Sequence, residues 1–234
     1  MNLYAVSIAY YEPDVIGMSV GKFFRTSGVE NIECGISKWI FVNNHWPIKP
    51  NNMNLSVNQL AKFMNAEVVT PEKNLGGHGG FSFGIKNLKF EDDDLILNYD
   101  LDSYPETYGW LKAMVETMQA DKTLGYVALL NNKEVGHPGK TEIIGGHKVL
   151  FPDKIYMWNV TLFRGSVMRE GMLADSTYYG YVETAMRRKI DAMGLRMGYM
   201  EDCRESNISL PQNPIYYKYK RAHAHEKTFN GSFE

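Results

Sequence analysis

Cysteine is scarce in this chain: Cys34 and Cys203 are the two among 234 residues. Two so far apart build no disulfide framework and match no metal-ligand spacing, which points to a reducing compartment. No stretch approaches the ~20 consecutive apolar residues of a membrane span. The amino-terminal residues, from Met1 to Tyr11, lack the basic leader of a signal peptide, and their apolar run is only strand-length. These features predict a soluble, cytoplasmic protein with no transmembrane segment. An excess of charge is missing too. The net charge of −2 provides no global field to draw the chain to nucleic acid or membrane. No Gly-Lys-Ser/Thr follows the main glycine cluster, so a phosphate-binding Walker loop is excluded. What is present is ordinary for a globular protein: 44% hydrophobic and 22% charged residues, with ample length for a core. Aromatics make up 13% of the chain, 15 of them Tyr, which suits a ring-stacking cleft or a Tyr-rich core.

Apolar runs and helical stripes alternate along the chain. Leu3 to Tyr10 reads as a buried strand, broken by Glu12-Pro13-Asp14. Ile16, Val20 and Phe24 then recur at helical spacing. Trp39 to Val42 is a second strand ending in Asn43-Asn44. Ser56 to Gln59 fits a capping box, with Val57, Leu60 and Met64 on one helical face. Ala66 to Thr70 is a third strand, Leu95 to Tyr99 a fourth and Leu124 to Leu130 a fifth. This alternation predicts an α/β fold with a mostly parallel sheet covered on both faces. From Asn131 to Lys148 glycine, proline and charge predict a long loop, with a hint of structure only at Glu142 to Ile144. Tyr156 to Phe163 reads as a further strand, and Tyr178 to Gly194 as a helix with Val182, Met186, Ile190 and Met193 inward. The last 25 or so residues mix Tyr216, Tyr217 and Tyr219 with Lys218, Lys220, Arg221 and Lys227.

The most informative stretch runs from Leu95 to Tyr104. A short apolar run ends in Asp100 and Asp102, two positions apart. If the strand pattern persists, both carboxylates point to one side at the carboxyl end of a strand, where open α/β sheets bind ligands. Two hard oxygen ligands suit Mg²⁺ or Mn²⁺ shared with a diphosphate. Ser103-Tyr104-Pro105-Glu106 fits a second capping box, leading to a helix with Leu111, Val115 and Met118 inward. Ahead of this stretch, Gly76, Gly77, Gly79 and Gly80 put four glycines in five positions. Before a helix, such a run suits a phosphate or sugar, or is simply a flexible turn. It is not the dinucleotide fingerprint, because Ser82 stands where the third glycine belongs. Gly80-Phe81-Ser82-Phe83-Gly84 matches the serine-hydrolase elbow, but that motif needs a strand running straight into the serine. Glu183, near a helix start, is a candidate general base or a carboxylate placed to suit the helix dipole. His223 and His225 are candidate neutral metal ligands, though tail histidines are commonly solvated.

Taken in order, these pieces resemble the GT-A-type glycosyltransferases, in particular the family 2-like inverting branch. The run from Asn74 to Ile85 is similar to that family's Asn-x-Gly…Gly-Ile segment. Leu95 to Asp102 is similar to its strand ending in a metal-binding Asp-x-Asp. Thr161 to Gly171 resembles the strand beneath the acceptor, and Tyr179 to Lys189 the acidic helix start. The resemblance implies a GT-A-like Rossmann-type sandwich over 1–209, with a nucleotide-sugar-binding half (1–104) and an acceptor-binding half (105–209). An aromatic-basic tail (210–234) follows. It further implies that Asn43, Asn74, Gly76, Gly77, Asp100 and Asp102 bind the donor, a UDP-sugar being the first choice. Asp100 and Asp102, completed by His223 or His225, would hold Mn²⁺ or Mg²⁺. Asn43 stands where the family often has an acidic base-binding residue, and Glu183 where it has its catalytic aspartate.

The expected activity is sugar transfer to an acceptor hydroxyl, with inversion. The acceptor would be a saccharide, or a modified nucleobase that the basic-aromatic tail could grip. Two rivals come from other classes. A nucleotidyltransferase would usually carry a glycine-rich basic loop after the first strand, where this chain has Glu12-Pro13-Asp14. A non-catalytic nucleotide- or sugar-binding module would not need both acidic motifs.

Overall fold

The computed structural model describes residues 1–9, 13–28, 35–44, 53–132, 138–153, 160–169 and 182–207, with backbone alone at 13, 14, 53–56, 182 and 183. In chain order the elements are β1 (Leu3–Ala9), α1 (Pro13–Thr26), β2 (Lys38–Asn43), α2 (Met53–Phe63), β3 (Glu67–Val69), α3 (Gly76–Ile85), β4 (Leu95–Tyr99) and β5 (Ser103–Pro105). There follow α4 (Trp110–Ala120), β6 (Leu124–Asn131), β7 (Gly139–Ile144), β8 (His147–Pro152), β9 (Val160–Arg164), α5 (Gly165–Arg169), α6 (Val182–Ala192) and β10 (Arg196–Asn207).

All the described strands join one sheet in the order β3-β2-β1-β4-β9-β6-β10-β8-β7, with β5 paired to β10. β9, β8 and β5 run against the rest, so the sheet is mixed but mostly parallel. The continuous apolar runs of its central strands follow from burial on both faces. Successive side chains alternate between the two faces. Ala5, Trp39, Phe41, Leu95 and Leu97 join one buried cluster with Phe23 of α1, Val57 of α2 and Met114 of α4. Val6, Ile40, Val42 and Ile96 join the other with Phe81 and Ile85 of α3, Val167 of α5 and Ile190 of α6.

An aromatic knot fixes the first layer beside the end of β4. The Phe23 ring meets Trp39 at 4.7 Å, Tyr99 at 5.1 Å and Trp110 at 5.6 Å, edge to face. The buried Trp39 indole is satisfied by donating to Ser7 Oγ at 3.0 Å.

Several local expectations are corrected by tertiary context. The predicted capping box at Ser103–Glu106 is instead β5, because Ser103, Tyr104 and Pro105 pair with Asn207, Ser206 and Glu205. The helix then starts at Trp110, behind Gly109 at φ +79°. α2 begins at Met53, so Ser56 falls inside its first turn rather than at its cap. The long loop expected between Asn131 and Lys148 contains a hairpin, β7–β8, paired from Gly139↔Pro152 to Ile144↔His147. Residues 133–137 lie outside the described residues, as do 154–159 of the strand expected from Tyr156. Only the part of the Tyr178 helix from Val182 onward is described.

Candidate functional site

The candidate site is built from the carboxyl ends of β1, β2 and β4 and the first turns of α3. β4 stops at Tyr99, so the strand alternation does not carry through to Asp102. A tight turn replaces it, closed by Ser103 N–H donating to the Asp100 carbonyl at 2.9 Å. The turn is anchored from below. The Tyr99 hydroxyl donates to the Ser19 carbonyl at 2.9 Å, and Ser19 Oγ donates to the Ser103 carbonyl at 2.8 Å. Burial, with the nearby carboxylates of Glu205, Asp102 and Asp100, pushes the Tyr99 hydroxyl pKa far up, so it stays a neutral donor. The two ends of the acidic turn are thereby tied to α1.

Asp100 leaves β4 on the side of α3. The same-face neighbour two residues earlier, Asn98, donates its amide to Asp100 Oδ1 at 3.2 Å. Ile8, Gly77, His78, Phe81, Asn98 and Asp100 together line a small cleft. Asp102 is exposed and lies outside that lining. Asn43 is buried at the end of β2, paired in register with Ala9 of β1. The next residue, Asn44, clamps the glycine run: its side chain accepts from Leu75 N–H and donates to the Gly76 carbonyl, both at 2.9 Å. Asn74 Oδ1 accepts from Gly76 N–H at 2.8 Å.

The glycine run is not a loop. α3 starts at Gly76, whose φ of +70° suits a residue without a Cβ. Further along, glycine permits close packing on the sheet: a Cβ on Gly84 would stand 2.4 Å from Val6 Cγ1 and 2.9 Å from Val42 Cγ2. Gly77 has open space around its missing Cβ and faces the cleft. The buried Ser82 sits well inside this helix with no strand running into it, so the hydrolase elbow is absent.

His78, Asn98 and Asn44 were not singled out by the sequence. Asn98 could have been, because it lies two positions before Asp100 on one strand face. Nothing comparable marked His78. It keeps some exposed surface, but its ring is desolvated, which lowers its pKa to about 3 and leaves a neutral imidazole.

Glu183 is the second residue of α6, and its side chain is not among those described. His223 and His225, with the whole 210–234 tail, lie outside the described residues. Among the described residues, no three His, Cys, Asp or Glu side chains group to hold a metal ion. No described helix is long and apolar enough to cross a membrane.

No protein-family model matches this chain. No curated protein matches it either. Solved structures do. The mannosyltransferase PcManGT from Pyrobaculum calidifontis, solved with GDP-Man and Mn²⁺, superposes with a TM-score of 0.68 at 13% identity, covering 95% of this chain and 61% of that one. GalNAc-T7, solved with UDP, GalNAc and Mn²⁺, gives 0.66 at 11% identity, over 94% of this chain and 48% of that one. CMP:2-keto-3-deoxy-manno-octonic acid synthetase, solved with CTP, gives 0.55 at 11% identity, over 95% of this chain and 98% of that one. The fold is therefore the GT-A-type α/β fold of nucleotide-sugar glycosyltransferases, shared with some nucleotidyltransferases. This chain spans about half to three-fifths of the two glycosyltransferases named.

Proposed function

We propose that this protein is a metal-dependent glycosyltransferase that moves a sugar from a nucleotide-sugar donor to an acceptor hydroxyl, with inversion at the anomeric carbon. The observation that carries this reading is Asp100. It is a carboxylate delivered from the carboxyl end of a central strand into a cleft beside the first turns of α3. The fold around it is shared with a mannosyltransferase solved in complex with GDP-Man and Mn²⁺.

The donor set suits Mn²⁺ or Mg²⁺. Such ions are commonly held by one or two carboxylates plus substrate phosphates rather than by a closed protein cage. Asp100 and Asp102, on one four-residue turn, are the assigned ligands, with His223 or His225 as the candidate completion. A cation bound there supplies positive charge where negative charge develops on the leaving diphosphate. Asn43, Asn74, Gly76 and Gly77 are assigned to the nucleotide and its ribose. The clamp of Asn44 on the α3 start keeps that backbone fixed relative to β2. Glu183 is assigned as the general base that takes the proton of the attacking hydroxyl. A saccharide is the first choice of acceptor and a modified nucleobase the second. A duplex affinity that falls steeply with salt would favour the latter.

A nucleotidyltransferase is the second reading, favoured by the likeness in fold to the CTP-bound synthetase. The two differ in their products. Incubation with Mn²⁺, a panel of nucleotide sugars and mixed saccharides should release nucleoside diphosphate under the first reading. Pyrophosphate released from nucleoside triphosphates and sugar acids would establish the second instead.

A further inference from the structure

We propose that the outer edge of β7 is the interface of a homodimer, in which two copies of this chain join their sheets by pairing β7 antiparallel about a two-fold axis at Thr141. This goes beyond the transfer reaction and does not depend on it.

The sheet ends in β3 on one side and β7 on the other. β3 is three residues long, too short an edge to offer much to another strand. β7 is six residues long, pairs with β8 in unbroken register, and no described strand covers its outer side. Gly139, Lys140, Thr141 and Ile143 are exposed, Ile143 at 67%. The hairpin turn decides which backbone groups point outward. Gly145 and Gly146, at φ +62° and +89°, form a two-residue turn, so Ile144 and His147 are a hydrogen-bonded pair. Alternation then turns the N–H and C=O groups of Gly139, Thr141 and Ile143 away from β8. Pairing about Thr141 sets these three residues against the same three of the second copy, Thr141 against itself and Gly139 against Ile143. Their outward groups are then satisfied by about six hydrogen bonds. The same register places Lys140 directly opposite the partner's Glu142, twice by symmetry. Lys140 and Glu142 already meet at 2.8 Å within one chain, so the dimer closes a ring of four alternating charges. Ile143 lies across from the partner's Gly139, where no side chain competes for the space. Moving the axis by two residues shortens the ladder and takes Lys140 away from its opposite charge. Moving the register by one leaves the outward backbone groups unmatched. A lysine on an edge strand ordinarily discourages pairing, and here the carboxylate two positions along makes the edge complementary to itself.

Sedimentation velocity of the full chain over a concentration series should show a monomer–dimer equilibrium. Thr141→Pro removes an outward N–H without touching the ladder to β8, and should leave only monomer. Lys140→Glu and Glu142→Lys each set like charges opposite one another at both symmetric positions. Each alone should weaken self-association by about ten- to a hundredfold. Mixed in equal amounts, the two charge variants are complementary and should associate within about threefold of the wild-type affinity. Melting curves show whether each variant folds, and if Thr141→Pro does not, the charge variants decide alone. A wild-type chain that stays monomeric up to about 100 μM overturns the proposal. So does a dimer that a folded Thr141→Pro leaves intact, or a mixture of the charge variants that associates no more tightly than either variant by itself.

Discussion

Two glycines of one helix should respond to alanine with opposite signs. At Gly84 an added Cβ would meet Val6 Cγ1 at 2.4 Å and Val42 Cγ2 at 2.9 Å, and both valines are fully buried in the sheet. β-Branched side chains are stiff at χ1, so neither can simply rotate away, and α3 must lift off β1 and β2. Overpacking of this severity costs about 2–3 kcal/mol. The helix propensity of alanine returns roughly 0.5–1 kcal/mol, for a net loss of about 2 kcal/mol. At Gly77 nothing lies within 4 Å of the position a methyl group would take, so only the favourable contribution remains. Gly77→Ala should therefore be stabilised by about 0.5 kcal/mol. Differential scanning calorimetry reads this directly. For a chain of this size, about 2–4 °C accompanies each kcal/mol, so Gly84→Ala should melt roughly 5 °C lower and Gly77→Ala slightly higher than wild type. Similar shifts of one sign in both variants would refute the packing of α3 derived above.

Three further outcomes follow from buried polar groups. Arg164 is buried and donates to the carbonyls of Leu124, Met118 and Asp121 at 3.0, 2.9 and 3.1 Å, closing the end of α4. Arg164→Leu removes all three of these buried hydrogen bonds and should cost about 2–4 kcal/mol in urea unfolding. Burial, then the neighbouring Asp202, pushes the Cys203 thiol up to about 12, so in native protein Cys203 should label far more slowly than an exposed thiol at pH 8, and its rate should still climb about tenfold per pH unit near pH 10, where an exposed thiol has levelled off. Unfolded thiol ionises first on the alkaline side, so this group's contribution to stability is lost as pH rises from about 9 towards 12. For His78, depressed to about 3, the unfolded state takes up a proton that the folded state refuses. Its contribution is complete above about pH 6.5 and is lost towards pH 3, at up to about 1.4 kcal/mol per unit. His78→Gln should flatten that slope in denaturant titrations.

The central strands were legible because burial on both faces leaves an unbroken apolar run, as in Trp39 to Val42 and Leu95 to Tyr99. The helical stripes of α1 and α4 were legible for the corresponding reason of period. Elements set by distant partners were not. β5 is three residues long and exists because Glu205–Asn207, about a hundred positions later, pair with it. β7 is an edge strand with mostly exposed residues, so Gly139–Ile144 carries almost no apolar alternation. α3 begins inside four glycines that local propensity assigns to a loop, and its hold on β1 and β2 outweighs that preference. At the site, Asp100 was legible from its place after an apolar run, and the resemblance to GT-A enzymes supplied its assigned role. The tight turn that separates Asp102 from the cleft was not, because it depends on Ser19 and Tyr99. His78 escaped because a histidine among glycines has no pattern until the helix and β4 are set side by side.

The most direct measurement is thermal unfolding of wild type and Asp100→Ala with nucleotide sugars, each with and without Mn²⁺. A ligand at about a hundred times its dissociation constant should stabilise the native state by about 2.7 kcal/mol. Binding through an Asp100-held cation predicts a nucleotide-sugar shift of several degrees in wild type only when Mn²⁺ is present, and no such shift in Asp100→Ala. A wild-type protein that no nucleotide sugar stabilises, or an Asp100→Ala variant that keeps the full metal-dependent shift, would contradict it.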